Sequence, residues 1–288
     1  MKICVTGGKG GTGKSTVATS LALEFARAGK TFLIDVDVDC PNDYLILAAR
    51  RRKDMDVYHP VPKWDFSKCT KCGICAGACK QDAIIFSKGR FPAFLPELCI
   101  GCGACMLVCP AKAMTPSRKR IGTIYRSRVR GLELFTGELK IGELASGEMV
   151  AETRKKAEKA AGDGTVVIDS AAGIGCPVIA SITGSDYVVA VTEPTPSALQ
   201  DMKRVLHIAA HFGIRHGIVI NKSTLDRGFR GKIKAFAKKS GIPVIEEIPY
   251  DEKFVHANVK MEPLCLKDEK VRTLFSRMAG KIRVMVNE

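Results

Sequence analysis

Short, nearly unbroken apolar runs alternate along this chain with longer stretches whose apolar positions recur every three or four residues. Lys2–Thr6 is one such run, and a glycine-rich segment, Gly7–Gly13, follows it. Lys14–Ala28 then places Val17, Leu21, Ala22 and Phe25 on one helical face, and Gly29 stands where that helix would stop. Thr31–Asp35 is a second apolar run, so the pattern predicts strand, loop, helix, strand.

The rhythm then breaks. A basic run, Arg50–Lys53, leads into a proline-containing stretch, and residues 64–115 are cysteine-rich with only short apolar pieces. Arg118–Arg130 carries six basic residues and no acid. Leu132–Phe135 and Glu138–Ile141, separated by Thr136–Gly137, predict a hairpin, and Glu148–Ala161 a helix. Apolar strands resume at Thr165–Asp169, Tyr187–Thr192, His216–Asn221 and Pro243–Ile248, with helical spacing over Ser197–Phe212 and Phe229–Ser240. Continuous apolar strands alternating with helices predict an α/β fold with a mostly parallel sheet covered on both faces. The cysteine-rich stretch reads as a small inserted domain over 64–115, dividing the α/β domain into 1–63 and 116–288.

Composition narrows the class. The 288 residues are 46% hydrophobic and 26% charged, which fits a folded protein and excludes collagen, coiled coil and disorder. No apolar run approaches the ~18 residues of a membrane helix. The opening MKICVTGG turns to glycine too soon for a secretory signal, and the cysteine spacing does not suit a disulfide scaffold. A reducing compartment, the cytoplasm, is therefore expected. The net charge of +15 favours acidic partners in general.

Residues 8–15, GKGGTGKS, fit G-x-x-x-x-G-K-[ST] between a predicted strand and a predicted helix. Gly8, Gly10, Gly11 and Gly13 let backbone N–H groups converge on phosphates, with Thr12 and Thr16 beside them, and the helix start adds positive potential. Lys14 should reach the β- and γ-phosphates, and Ser15 should ligate Mg²⁺.

With its second lysine, KGGTGKST resembles the phosphate loop of the MinD/ParA/nitrogenase iron protein ATPases. The resemblance implies ATP as nucleotide and a role for Lys9 at the nucleotide of a facing subunit. It also implies two switches. In DVDVDCPND, Asp37 best matches the carboxylate that orients the attacking water, with Asp35 and Asp39 as neighbouring alternatives. In DSAAGIG, Asp169 would hold Mg²⁺ through water, and Gly173 would sense the γ-phosphate. Asn221, Pro249, Tyr250 and Asp251 would line the base, with a helix cap or turn as the competing role for Asp251. Cys176 lies at the offset of a switch cysteine that ligates a shared cluster in the nitrogenase iron protein, but the companion cysteine has no match here, so a buried structural cysteine is the expected role.

Cys69, Cys72, Cys75 and Cys79 form C-x₂-C-x₂-C-x₃-C, and Cys99, Cys102, Cys105 and Cys109 repeat it 30 residues later. This is the run of the bacterial two-cluster ferredoxins, in which the fourth cysteine crosses to the other cluster. It implies that Cys69, Cys72, Cys75 and Cys109 hold one 4Fe–4S cluster, and Cys79, Cys99, Cys102 and Cys105 a second. Zinc is the competing occupant.

Together the motifs resemble a MinD-type P-loop ATPase carrying an inserted α+β ferredoxin domain. The expected activity is ATP hydrolysis, with nucleotide-dependent dimer and switch changes coupled to electron transfer through the clusters. The alternative is an ATPase that assembles or carries an iron–sulfur or other metal cofactor. Expected partners are a second copy or a similar ATPase across the nucleotide, and a redox or metal-cofactor protein. A nucleic-acid partner is not expected, despite the basic run Arg118–Arg130.

Overall fold

A strand whose residues are apolar on both sides needs cover on both, and the chain supplies it. The computed structural model describes residues 1–287. In chain order the elements begin with β1 (Lys2–Gly7), α1 (Lys14–Ala26), β2 (Thr31–Val36), α2 (Asp43–Ile46) and β3 (Arg52–Trp64). There follow α3 (Ile74–Gly77), β4 (Ile84–Ile85), β5 (Ala93–Phe94), α4 (Ala104–Leu107), β6 (Met114–Val129) and β7 (Leu132–Leu139). The chain continues through α5 (Ser146–Ala161), β8 (Thr165–Ala172), α6 (Cys176–Ile182), β9 (Tyr187–Thr192) and α7 (Pro196–His211). It ends with β10 (Arg215–Ile220), α8 (Arg227–Lys239), β11 (Val244–Glu247), α9 (Lys253–Val259) and α10 (Glu269–Asn287).

Two units result. The first comprises Met1–Asp54, Ile124–Glu138 and the chain from Gly147 onward; the second comprises Met55–Thr123 and Leu139–Ser146. The second is wider than the expected 64–115, because most of β3 and the first part of β6 belong to it.

The main sheet runs β11-β10-β9-β1-β8-β2-β7-β6-β3. Every neighbouring pair from β11 to β7 is parallel. Alternation along β9 shows how both faces are buried. Val189 and Val191 join Val17, Leu21 and Phe25 of α1 and Phe275, Met278 and Ile282 of α10. Ala190, between them, joins Met202 and Leu206 of α7 and Ile233 of α8. At about 25 cal/mol per Å² these two layers supply the main folding drive.

One reading of the sequence needs correction, and two stretches left without a structural assignment fall in strands. The hairpin expected at Thr136–Gly137 does not exist: Leu132–Leu139 is one strand. Gly137 is small for another reason, since a Cβ there would lie 2.5 Å from Oγ1 of Thr153 on α5. The actual turn is Arg130–Gly131, with φ of 51° and 81°, both left-handed as a two-residue type I′ turn requires. The proline stretch after Arg50 is part of β3, which stands at the sheet edge, where missing N–H donors are tolerated. The basic run Arg118–Arg130 lies almost wholly in β6.

The second unit shows its internal repeat in the backbone. Left-handed conformations occur at Lys71, Gly73 and Asp82 and again at Gly101, Gly103 and Lys112, each pair 30 residues apart. The short helices α3 and α4 start after Gly73 and Gly103, and β4 pairs antiparallel with β5.

Candidate functional site

The glycine loop leaves β1 and turns directly into α1. Gly13 takes φ 91° at the helix start, and a Cβ there would lie 2.2 Å from Nδ2 of Asn221. At the other end of the loop, a Cβ on Gly8 would lie 2.3 Å from Cβ of Asp201 on α7 and 2.5 Å from its backbone. Donors from elsewhere occupy the loop's carbonyl oxygens. Lys14 Nζ donates to the Lys9 oxygen (3.3 Å), Lys222 Nζ to that of Gly11 (2.9 Å) and Asn221 Nδ2 to that of Thr12 (2.8 Å). Lys14 is buried. Lys9 Nζ lies 3.3 Å from Oε1 of Glu193, whose Oε2 accepts from Lys222 at 2.9 Å. Burial would raise the Glu193 carboxyl, but Lys222 and Lys9 outweigh it and hold it below the usual carboxylate range.

Beside the loop, Asp35 of β2, Asp43 at the start of α2 and Asp169 of β8 are all buried, with carboxylate oxygens within 4.8 Å of one another. No other group of three or more histidine, cysteine, aspartate or glutamate side chains converges this closely among the described residues. Asp35 accepts the backbone N–H groups of Asn42 (2.9 Å), Asp43 (3.0 Å) and Asp37 (3.2 Å), so it fastens the expected switch segment. Both oxygens of Asp43 and Oδ1 of Asp169 have no hydrogen-bond partner among the described residues. Burial, then the Asp169 charge, drives Asp35 and Asp43 well above the usual range. Burial likewise pushes Asp169 up to about 7, opposed by the Ser15 hydroxyl and by Lys14. Such an oxygen-rich, unsatisfied set fits a hard divalent cation. Asp37 is half-buried and feels Lys14; burial raises its carboxyl too. Asp39 is exposed.

Beyond the loop, a cavity of about 220 Å³ is lined by Gly11, Gly13, Thr16, Asn221, Pro249, Tyr250 and Asp251, with Phe254 and Phe275 among its apolar walls. Asp251 also accepts the Lys253 N–H at 2.9 Å, a turn contact. Gly173 takes φ 105° and donates its N–H to the Gly7 oxygen at 3.3 Å. Cys176 is exposed, which corrects the expectation of a buried structural cysteine. Sequence reasoning missed Asp43, Glu193 and Lys222. Asp43 stood in the quoted DVDVDCPND segment. The other two carry no local signal, because each acts through a partner distant in sequence.

In the second unit the eight cysteines separate into two groups of four. Cys79, Cys99, Cys102 and Cys105 line a cavity of about 270 Å³ with Lys80 and Ile84. Cys69, Cys72, Cys75 and Cys109 line a tighter one beside Trp64 and Pro110. The thiols sense one another accordingly: burial, then Cys99 and Cys102, pushes Cys105 up to about 11. Backbone N–H groups of Gly101 and Ala113 point at the Cys99 and Cys109 sulfurs, at 3.4 and 3.3 Å.

A parallel sheet with a glycine loop between its first strand and helix, and acids at the neighbouring strand ends, defines a P-loop nucleotide-binding protein. The chain belongs to the CobQ/CobB/MinD/ParA nucleotide binding domain family, whose model matches residues 3–264. MinD/ParA members of this family are ATPases. An uncharacterised protein of Methanocaldococcus jannaschii is 32% identical over 286 residues, covering 98% of this chain and 97% of its own. The fold is that of the cell division ATPase MinD of Pyrococcus furiosus, with TM-score 0.61, 20% identity and coverage of 99% and 98% of the two chains. MinD of Pyrococcus horikoshii, solved with Mg-ADP, superposes with TM-score 0.60 at 18% identity, covering 98% and 95%.

Proposed function

We propose that the chain binds and hydrolyses ATP and couples the resulting switch and dimer changes to electron transfer through two 4Fe–4S clusters in an inserted ferredoxin domain. The observation that carries this reading is the division of eight cysteines into two cavities, with Cys79 and Cys109 each exchanged into the opposite group. Four thiolates around a tetrahedral zinc would sit about 3.8 Å apart. No three cysteine sulfurs converge within 4.8 Å among the described residues, so neither group is drawn in to the spacing of a zinc site, and the cavity beside Cys79, Cys99, Cys102 and Cys105 has room for a multi-atom cluster. The two sets of four would hold the clusters, which supply one-electron storage when present.

At the nucleotide, Gly8–Gly13 would cradle the phosphates, with Lys14 on the β- and γ-phosphates and Thr16 behind them. Ser15 and Asp169 would hold Mg²⁺, Asp169 through water, with Asp35 and Asp43 alongside. The ion neutralises phosphate charge when bound. Asp37 would be the switch aspartate that orients water; the three backbone N–H groups on Asp35 and the exposure of Asp39 support that choice. Asn221, Pro249 and Asp251 would border the base. Lys9 would leave Glu193 and cross to the nucleotide of a facing subunit, either a second copy or a similar ATPase. The Mg-ADP held by the Pyrococcus horikoshii relative supports the choice of ligand.

The test is anaerobic. The reconstituted, reduced protein is mixed with an electron acceptor under ATP, ADP or no nucleotide, and iron, sulfide and zinc are quantified. About eight iron atoms per chain with ATP-dependent oxidation are expected. Zinc in place of iron would end the cluster reading. Transfer of intact clusters to an apo-acceptor without oxidation would assign a carrier instead.

A further inference from the structure

Two basic runs, Arg50–Lys53 and Arg118–Arg130, take no part in either site above. The first unit brings their ends together. Arg50, Arg52 and Lys53, at and just before the start of β3, and Arg126 and Arg128, near the end of β6, line one cleft of about 610 Å³ with Asp54, Ser127 and Glu133. Five cations thus face two carboxylates in a concavity of the size that small ligands occupy.

The cleft is organised from its floor. Glu133 of β7 is only 9% exposed. Its Oε1 accepts from Nε of Arg128 at 2.7 Å and its Oε2 from Nε of Arg126 at 3.0 Å. Positions 126 and 128 share a strand face, so a single carboxylate orients both guanidinium planes. The Ser127 hydroxyl donates to the Arg50 oxygen at 2.9 Å and pins the start of β3 to β6. Asp54 is engaged by Lys156 at 3.1 Å. Arg50 and Arg52 have no carboxylate within 4.0 Å among the described residues. Both acids are therefore committed, while two guanidinium groups lack a counter-charge.

Strand register separates this cleft from the nucleotide loop. Glu133 is level with Phe32 near the start of β2, whereas Asp35, at the loop's end of the same strand, is level with Thr136. Four of the five cations are arginine, whose planar fork matches phosphate oxygens in pairs.

We propose that this cleft binds a compact polyanion, the di- or triphosphate group of a small molecule, at a site distinct from the glycine loop. The cations converge on one concavity and are not strung along a face, which favours a compact group over a nucleic-acid duplex, whose backbone needs an extended basic track.

The probe is inorganic tripolyphosphate, titrated calorimetrically into the full chain carrying Lys14→Ala, without Mg²⁺, so that the glycine loop does not compete. One site per chain is expected, weakening with salt. Arg50→Gln with Arg52→Gln should weaken it at least ~10-fold, in line with the loss of charge-assisted hydrogen bonds. These exposed positions leave Glu133 paired and the thermal midpoint unchanged. The same pair in the otherwise unaltered chain should leave Mg-ADP affinity unchanged, which keeps this result separate from the nucleotide reading. Arg126→Gln with Arg128→Gln should also abolish tripolyphosphate binding. The proposal is overturned by no binding at about 50 mM salt, or by equal affinity in the Arg50/Arg52 variant. A short DNA duplex or polyglutamate binding more tightly through the same arginines would overturn it too.

Discussion

Lys9 lies against Glu193 of its own chain, its Nζ 3.3 Å from Oε1, while Lys222 takes the other carboxylate oxygen. If Lys9 serves a facing subunit, this contact must break first. Glu193→Gln removes its charge. An ion pair with a side chain as exposed as Lys9 is worth up to ~1 kcal/mol, and a homodimer breaks two of them, so ATP-dependent dimerisation should occur at up to ~30-fold lower protein concentration. Analytical ultracentrifugation with and without ATP measures this; an unchanged dimerisation constant would mean that Glu193 serves only Lys222.

Lys14→Ala should abolish Mg-ATP binding. Asp37→Asn should leave binding within about threefold and lower phosphate release by ~100-fold, as expected for a group that acts in general base catalysis. Equilibrium binding and steady-state turnover separate the two. Equal turnover in the Asp37 variant would pass the role to another acid.

The buried acids predict a pH response. Burial raises Asp35, Asp43 and Asp169, the last to about 7. Between the unfolded carboxylate value near 4 and about pH 7, the folded state then binds more protons than the unfolded chain, so stability must fall as pH rises through that window. Chelated protein should lose on the order of a few kcal/mol of stability between about pH 5 and 8, seen as a falling thermal midpoint. Mg²⁺ should flatten the profile by replacing those protons. Calorimetric scans in two buffers of different ionisation heat would detect the proton release, and a profile indifferent to Mg²⁺ would refute the cation assignment.

Cysteine substitutions test the exchanged grouping. Cys79→Ser and Cys105→Ser should each lower iron from about eight to about four per chain and remove the same spectroscopic signal. Cys75→Ser and Cys109→Ser should remove the other. If Cys79→Ser behaved like Cys75→Ser, the crossing would be wrong.

Gly137→Ala should cost about 1–3 kcal/mol, because the new methyl meets Thr153 Oγ1 at 2.5 Å within a packed strand–helix contact. Denaturant unfolding measures it, and Thr153→Ala in the same chain should recover part of the loss.

The strands that lie deepest were the easiest to read. Tyr187–Thr192 matches β9 residue for residue, because a strand buried on both faces is apolar at every position. The edge was harder. β3 carries prolines and β6 carries clustered basic residues, Arg118–Arg120 and Arg126 with Arg128, and each resembles loop or surface until its neighbour is known. Gly137 misled because a glycine that permits close approach looks, in sequence, like one that permits a turn. At the site, loop residues and cysteine spacings were legible because their chemistry is local. Asp43 was not singled out, since its burial arises only when the chain folds back over Asp35.

Gly8 has a consequence for engineering. Its Cα hydrogen faces the main chain of Asp201, where no rotamer change can make room. Saturation mutagenesis there should return the parental codon alone. A library that left Gly8 fixed and varied helix α7 would find Asp201 bounded by size rather than by charge, so the tolerance of the loop is set by a helix that contributes no chemistry to it.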